Sequence, residues 1–455
     1  MHDIDPKWKE VKRRLDSVSP SVCMAKWKHA TVHLLNGRTH SCYLPPTHSV
    51  PLKEIERSPS ALHNTQHKKE QRRKMLSGER PAECSMCWAI EDLPEARLSD
   101  RIIRGQESWT LPYFDETKNA AWDTDVYPSY LEVSFSSLCN FRCSYCSPHV
   151  SSAWLDEVKR SGPYQLANNY RHQDLDWMRR EGMLPLDEND NPYIDAFWKW
   201  WPDLYPNLRV FRVTGGEPLL SKHTFRVLDW VENNPHPNLE LDVNTNLGAP
   251  QAVMQRFLEQ AKRIVDAGHV KRFRIHTSLD TWGPQAEYIR NGLRFDYFWR
   301  NVEQFLAAIP TGEVFFMSTF NALSVVGYRG FLQGLLDQRK KFSQSGRSIL
   351  ADIPHLTQPE FLNVRVLTPD YLDRMDAHIE FMEKNASAEG FQPFEVEKMR
   401  RVRAWMRVEQ DEAEVNRQRR NFYLYFREHD RRRGTNFLST FPEMEAFWQF
   451  CESLN

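Results

Sequence analysis

From about residue 128 onward, short apolar runs alternate with helical segments, and that alternation restricts this part of the chain to an α/β fold on parallel strands. Six strand-length runs stand out, at 130–136, 209–215, 239–246, 271–280, 313–320 and 360–367, with helices fitting between them at 221–233, 250–267, 297–309 and 324–342. One crossover is irregular. Residues 161–206 are rich in Trp, Pro and acidic side chains and read as an insertion near the mouth of a site. Period-two alternation puts Asp242, Asn244 and Asn246 on one strand face, and Arg274, His276 and Ser278 on another. A fully packed apolar sheet would not carry such rows, whereas a barrel lumen lined with polar groups would.

A chain of 455 residues is longer than one hydrophobic core usually sustains. We divide it into 1–125, 126–368 and 369–455. The first segment contains AKWKHATVHLLNGRTHSCY (26–44), two strand-like runs around Asn36-Gly37, a dipeptide suited to a type I′ hairpin turn. The last is helical and aromatic. Its stretch 398–433 holds twelve basic and six acidic residues, which at helical spacing describe a solvated face of an amphipathic cover. Lys plus Arg total 60 against 61 Asp plus Glu, so no overall field draws the chain to nucleic acid or an anionic membrane. No run reaches the roughly 20 apolar residues of a membrane span, and the N-terminus lacks an apolar signal region. A cytoplasmic location is expected.

Eight cysteines in such a chain read as metal ligands or free thiols before disulfides. Cys139, Cys143 and Cys146 fall within eight residues at the end of the first strand of the alternating region, where parallel α/β folds place their sites. Three thiolates can hold three irons of a cubane cluster and leave the fourth open. Three core cysteines, or a zinc loop with a borrowed ligand, are the plainer alternatives. Val213-Thr-Gly215-Gly216-Glu217-Pro218 ends the second strand. Its glycines permit close backbone approach, and its carboxylate can accept from an ammonium group. Cys84-Ser-Met-Cys87, with Cys23 and Cys42 at one end of the hairpin, supplies four thiolates for a closed site, iron–sulfur before zinc. Cys451 reads as packing.

The run Cys139-Asn-Phe-Arg-Cys143-Ser-Tyr145-Cys146 resembles the CxxxCxxC motif of the radical S-adenosylmethionine (SAM) superfamily, and Gly215-Gly216-Glu217 resembles its GGE motif. The resemblance implies a partial (β/α)6 TIM-type barrel over 126–368 and a [4Fe–4S] cluster on the three cysteines. It also implies reductive cleavage of SAM to a 5′-deoxyadenosyl radical that abstracts a substrate hydrogen. Tyr145, Gly215, Gly216 and Glu217 would contact SAM. Asn244-Thr-Asn246-Leu-Gly248 resembles the ribose-contacting TNG segment, with Leu247 intruding. Ser278-Leu-Asp280 followed by Arg290 resembles the family's serine for the ribose and arginine for the SAM carboxylate. Leu367 and Asn321 are placed against the adenine by topology alone. The region with Cys23, Cys42, Cys84 and Cys87 resembles the auxiliary-cluster "twitch" module of some SPASM-related enzymes, here ahead of the barrel rather than behind it.

The reading is therefore an enzyme acting on a peptide or small metabolite, with oxidation or cross-linking assisted by a second [4Fe–4S] cluster and a flavodoxin or ferredoxin as electron donor. The aromatic 161–206 insertion favours an extended groove for a peptide. Two alternatives stand beside it. RNA modification is suggested by Arg417, Arg419, Arg420, Arg431, Arg432 and Arg433. A non-catalytic, metal-stabilised binding module would need only the clusters.

Overall fold

The structure is a computed structural model and describes residues 6–93, 98–168, 170–342 and 348–455. It is mixed α/β, with mostly parallel strands and many helices. Among the described residues eleven strands are formed: β1 (His29–His33), β2 (Arg38–His40), β3 (His48–Ser49), β4 (Tyr130–Ser134), β5 (Arg142–Cys143), β6 (Val210–Thr214), β7 (His236–Asn244), β8 (Val270–Ser278), β9 (Arg290–Asn291), β10 (Glu313–Met317) and β11 (Ile349–Asp352).

The chain divides into two compact units. The first comprises Met1–Ser136, Pro185–Gly215 and Asn234–Asp242; the second comprises Ser137–Leu184, Gly216–Asn233 and Val243–Asn455. This division cuts the chain elsewhere than 1–125, 126–368 and 369–455. The reason lies in β1. It forms the expected antiparallel hairpin with β2, Thr31 facing His40 and His33 facing Arg38, but its other edge pairs in parallel with β4, His29 facing Tyr130. The hairpin is thus part of the sheet of the first unit, in the order β3-β2-β1-β4-β6-β7. Its turn spans four residues rather than two. Gly37 alone takes the left-handed conformation, at φ 68°. β4 and β6 pair in parallel register, Leu131 with Phe211 and Val133 with Val213, and all four side chains are buried.

In the second unit β8, β10 and β11 pair in parallel, Ile275 with Val314 and Phe316 with Ala351, and β5 and β9 form a separate two-residue ladder. The polar rows expected on β7 and β8 are present as half-buried to buried positions: Asp242 and His276 are buried, while Asn244, Arg274 and Ser278 are half-buried. One expected strand is corrected. Residues 360–367 form two short 3₁₀ turns, Glu360–Leu362 and Val364–Val366, because Asn363 caps the second through Arg365 N–H (3.0 Å) and interrupts the extended backbone. The strand after β10 is β11, whose four residues start next to residues outside the description. The helices at 221–233, 250–267, 297–309 and 324–342 are found as Lys222–Asn233, Gln251–Asp266, Phe295–Ala308 and Ser324–Phe342.

The 161–206 segment does not present its aromatics outward. Helix Pro192–Leu204, N-capped by Asn191, buries Phe197, Trp200 and Trp201 within the first unit. Tyr164, in the second unit, packs at a tilt against Tyr425 of helix Glu412–Arg433, 4.6 Å between centroids. The region therefore spends its aromatic surface on packing.

Candidate functional site

The loop after β4 carries Cys139, Cys143 and Cys146, and it is fixed from several sides within the second unit. Cys146 N–H bonds the Cys143 carbonyl (2.9 Å), closing a tight turn. Ser151 and Ser152, at the start of helix Ser152–Ser161, bond back to the Phe141 carbonyl (3.1 Å) and to Cys139 N–H (3.1 Å). Trp154 Nε1 donates to the Cys143 carbonyl (3.0 Å), and Tyr425 hydroxyl to that of Ser144 (2.8 Å). The thiols lie close enough that Cys143 raises the pKa of Cys139, and both raise that of Cys146. Burial acts first, holding Cys139 up to about 12 and raising Cys143 and Cys146, with neighbouring thiolates adding to the effect at Cys139 and Cys146. Such thiols surrender their protons when a metal takes them, and soft thiolates suit an iron–sulfur group.

The Gly215-Gly216-Glu217 turn explains its own composition. At Gly215, φ 133°, an added Cβ would lie 2.6 Å from the Ser136 carbonyl; at Gly216 it would lie 2.4 Å from that of Leu138. Only glycine allows this approach to the backbone that leads into the cysteine loop. Glu217 N–H then bonds the Leu138 carbonyl (2.6 Å). The Glu217 carboxylate is buried and accepts from Thr245 hydroxyl (2.8 Å), Leu219 N–H (3.1 Å) and Asn246 N–H (2.6 Å). Burial outweighs these bonds and pushes its pKa up to about 7.

Asn246 joins the cysteine loop directly: its amide donates to Asn140 Oδ1 (2.9 Å), and Asn140 donates to the Gly248 carbonyl (2.7 Å). The intruding Leu247 adopts φ 53°, the one non-glycine residue at positive φ among those described, with its side chain fully buried. Ser278 ends β8 in register with Met317 of β10. Arg290 is buried and bound to Asp280, with Nε 2.8 Å from Oδ2, and donates to Tyr145 hydroxyl; Tyr145 donates in turn to Asp280 (2.8 Å).

The structure thus brings together the three cysteines, Tyr145, Gly216, Glu217, Asn246 and Arg290. It places Asn321 otherwise, because its side chain accepts from Leu323 N–H (3.0 Å) and donates to the Thr319 carbonyl (2.9 Å), capping a turn before helix Ser324–Phe342. Leu367 closes a 3₁₀ turn rather than a strand. Asp280, Asn140 and Thr245 were quoted in the motifs without a role, and only the fold shows what they hold.

Four of the five remaining thiols meet in the first unit. Cys23, Cys42, Cys84 and Cys87 line one cavity, together with Lys26, Met75, Trp88, Arg101 and Arg104. Burial holds Cys23 and Cys87 up to about 11 and Cys84 up to about 12. Arg101 is the organiser. Its buried guanidinium grips Glu91 (2.9 and 2.8 Å) at the end of the helix that carries Cys87, donates to the Val22 carbonyl beside Cys23 (3.1 Å), and reaches Asp16 (3.1 Å). The cations are paired in turn, Lys26 with Glu83, Arg101 with Glu91 and Arg104 with Asp100, and the four thiols are a donor set that could hold a metal or an iron–sulfur group. Among the described residues no three His, Cys, Asp or Glu side chains close onto a single ion. Cys451 is buried in helix Glu445–Ser453, with Arg419 near enough to act on its charge.

No family model matches the chain. It is similar over a third of its length to proteins named GTP 3′,8-cyclase. That of Nautilia profundicola is 31% identical over 157 residues, 34% of this chain and 36% of the relative. That of Sulfurimonas denitrificans is 26% identical over 164 residues, 36% and 38%, and that of Mycobacterium ulcerans 28% over 152 residues, 33% and 31%. The chain thus spans about a third of the length of these curated relatives. GTP 3′,8-cyclases are radical SAM enzymes, so the shared third supports a place for this chain in the radical SAM superfamily.

Proposed function

We propose that the chain is a radical SAM enzyme whose [4Fe–4S] cluster is held by Cys139, Cys143 and Cys146, acting by hydrogen abstraction on a small metabolite or peptide. The observation that carries this reading is the three-thiol loop stitched to Glu217 and Asn246 by Leu138 and Asn140. When bound, the cluster would supply the one electron for reductive cleavage of SAM. Glu217 is set to receive an ammonium group, and a cation beside it would favour the ionised form against the burial that raises its pKa. The half-buried Asn246 presents an amide for a ribose hydroxyl.

The arrangement of Cys23, Cys42, Cys84 and Cys87 supports a second, closed cluster in the first unit that assists oxidation or cross-linking. A small-molecule substrate is favoured over a peptide, because the aromatics of 161–206 are consumed in packing and the similar proteins are named for GTP. The RNA alternative loses support too. Arg417 pairs with Glu414, Arg431 and Arg432 with Glu428, and Arg433 is buried against Tyr164 and Glu157.

Anaerobic reconstitution tests the reading. About eight irons per chain are expected, and about four when Cys139, Cys143 and Cys146 are replaced by Ala. SAM with a reductant should release 5′-deoxyadenosine. A fully loaded protein that releases none refutes the enzyme.

A further inference from the structure

Arg290 is held by more partners than a free carboxylate-binding arm would be. Its backbone pairs with that of Cys143 in the β5–β9 ladder. From there Nη1 donates to Cys143 Sγ at 3.7 Å, within reach for a sulfur acceptor. Nη2 donates to Tyr145 hydroxyl and to Asp280 Oδ1 (3.2 Å), and Nε lies 2.8 Å from Asp280 Oδ2. Asp280 is itself fully buried and accepts from Thr319 N–H (3.0 Å). If the guanidinium swung away toward another carboxylate, a fully buried Asp280 would lose its counter-charge, which opposes the movement.

We propose that Arg290 is a fixed hydrogen-bond donor to the Cys143 sulfur that raises the reduction potential of the cluster on Cys139, Cys143 and Cys146, with Asp280 and Tyr145 as its positioning residues. The inference rests on the radical SAM reading above. Its physical basis is that hydrogen bonds to ligand sulfurs favour the more negative, reduced form of an iron–sulfur group. Asp280 cancels the net charge of the guanidinium, so the sulfur faces a directed N–H dipole more than a bare cation. Tyr145 fixes the plane of the fork. Reduction adds one electron from the external reductant and moves no proton and no bond. The role differs from binding the SAM carboxylate, to which the sequence resemblance would assign this arginine.

The test is an EPR-monitored potentiometric titration of the full, anaerobically reconstituted chain with dithionite, without SAM. The cluster in question is recognised by the change of its signal when SAM is then added. Arg290→Lys keeps the charge and loses the fork. It should lower the reduced-to-oxidised ratio at a fixed potential about tenfold, a shift of about 59 mV for one electron. Tyr145→Phe, which keeps the ion pair and removes only the hydroxyl, should shift it in the same direction by less. An unmoved potential in loaded Arg290→Lys overturns the proposal. So does an unmoved potential with weakened SAM binding, which would return Arg290 to the SAM carboxylate. If Arg290→Lys fails to load iron, Tyr145→Phe decides by the same criterion. Failure of the underlying reading would look different: iron content would then be unchanged by replacing Cys139, Cys143 and Cys146.

Discussion

At the scale of single residues, the site is written in short motifs whose meaning depends on what they touch. Cys139, Cys143, Cys146 and the Gly-Gly-Glu turn were legible in the sequence because each needs a residue type that little else can replace. Their supports were not, since Asp280, Asn140 and Thr245 are ordinary polar residues until the fold brings them within hydrogen-bond distance of Arg290, Asn246 and Glu217. Glu217 offers a direct check. Glu217→Gln leaves one carbonyl oxygen for three donors, and an unsatisfied buried donor costs about 1–3 kcal/mol. Deoxyadenosine release should fall about tenfold or more, and the urea midpoint should drop with unchanged slope. Leu247 is the second. Its left-handed backbone costs roughly 1–2 kcal/mol, yet its buried side chain contributes more than that. Leu247→Gly should therefore destabilise by about 1–3 kcal/mol despite relieving strain, as read from denaturant melts.

At the scale of elements, five of the six proposed strands and all four helices appear near their expected places, because period-two and period-3.6 patterning is a local signal. The sixth failed for a local reason as well. The apolar residues Phe361, Leu362, Val364 and Val366 are all buried, but in 3₁₀ turns, and single-residue burial does not distinguish a short strand from such turns. The pairing of β1 with β4 was hidden because it joins residues about a hundred positions apart. Arg101 works at this scale, tying helix Ser85–Glu91 to the backbone beside Cys23. Arg101→Met leaves Glu91 buried without its counter-charge, a loss of about 3–5 kcal/mol. Iron content should fall from about eight toward about four, while the EPR signal that responds to SAM persists. Equal loss of both clusters would contradict the assignment of Arg101 to the second site alone.

At the scale of the whole molecule, near-zero net charge hides a strongly asymmetric response to acid. Both units bury neutral histidines. His29 and His63 are fully buried in the first unit, and burial holds both well below the ordinary range. In the second unit His429 is fully buried between Tyr288 and Phe426, facing Asp430 at 3.8 Å with Arg433 and Glu157 beyond, and burial lowers it to about 4. A histidine with a depressed folded pKa contributes its full stability above the unfolded value, near 6.5. It loses that contribution as pH falls toward 4, because the unfolded chain takes up the proton first. For His429 alone the shift of about 2.5 units is worth roughly 3.4 kcal/mol at most, and about 2.6 kcal/mol of it is gone by about pH 4.5. Urea melts of the whole chain followed by tryptophan fluorescence between about pH 7 and 4.5 should therefore show a falling midpoint. His429→Phe removes the titrating group and should flatten that decline by about 2 kcal/mol. A slope identical to that of the parent chain would place the acid sensitivity in other groups, with the histidines of the first unit next to be replaced.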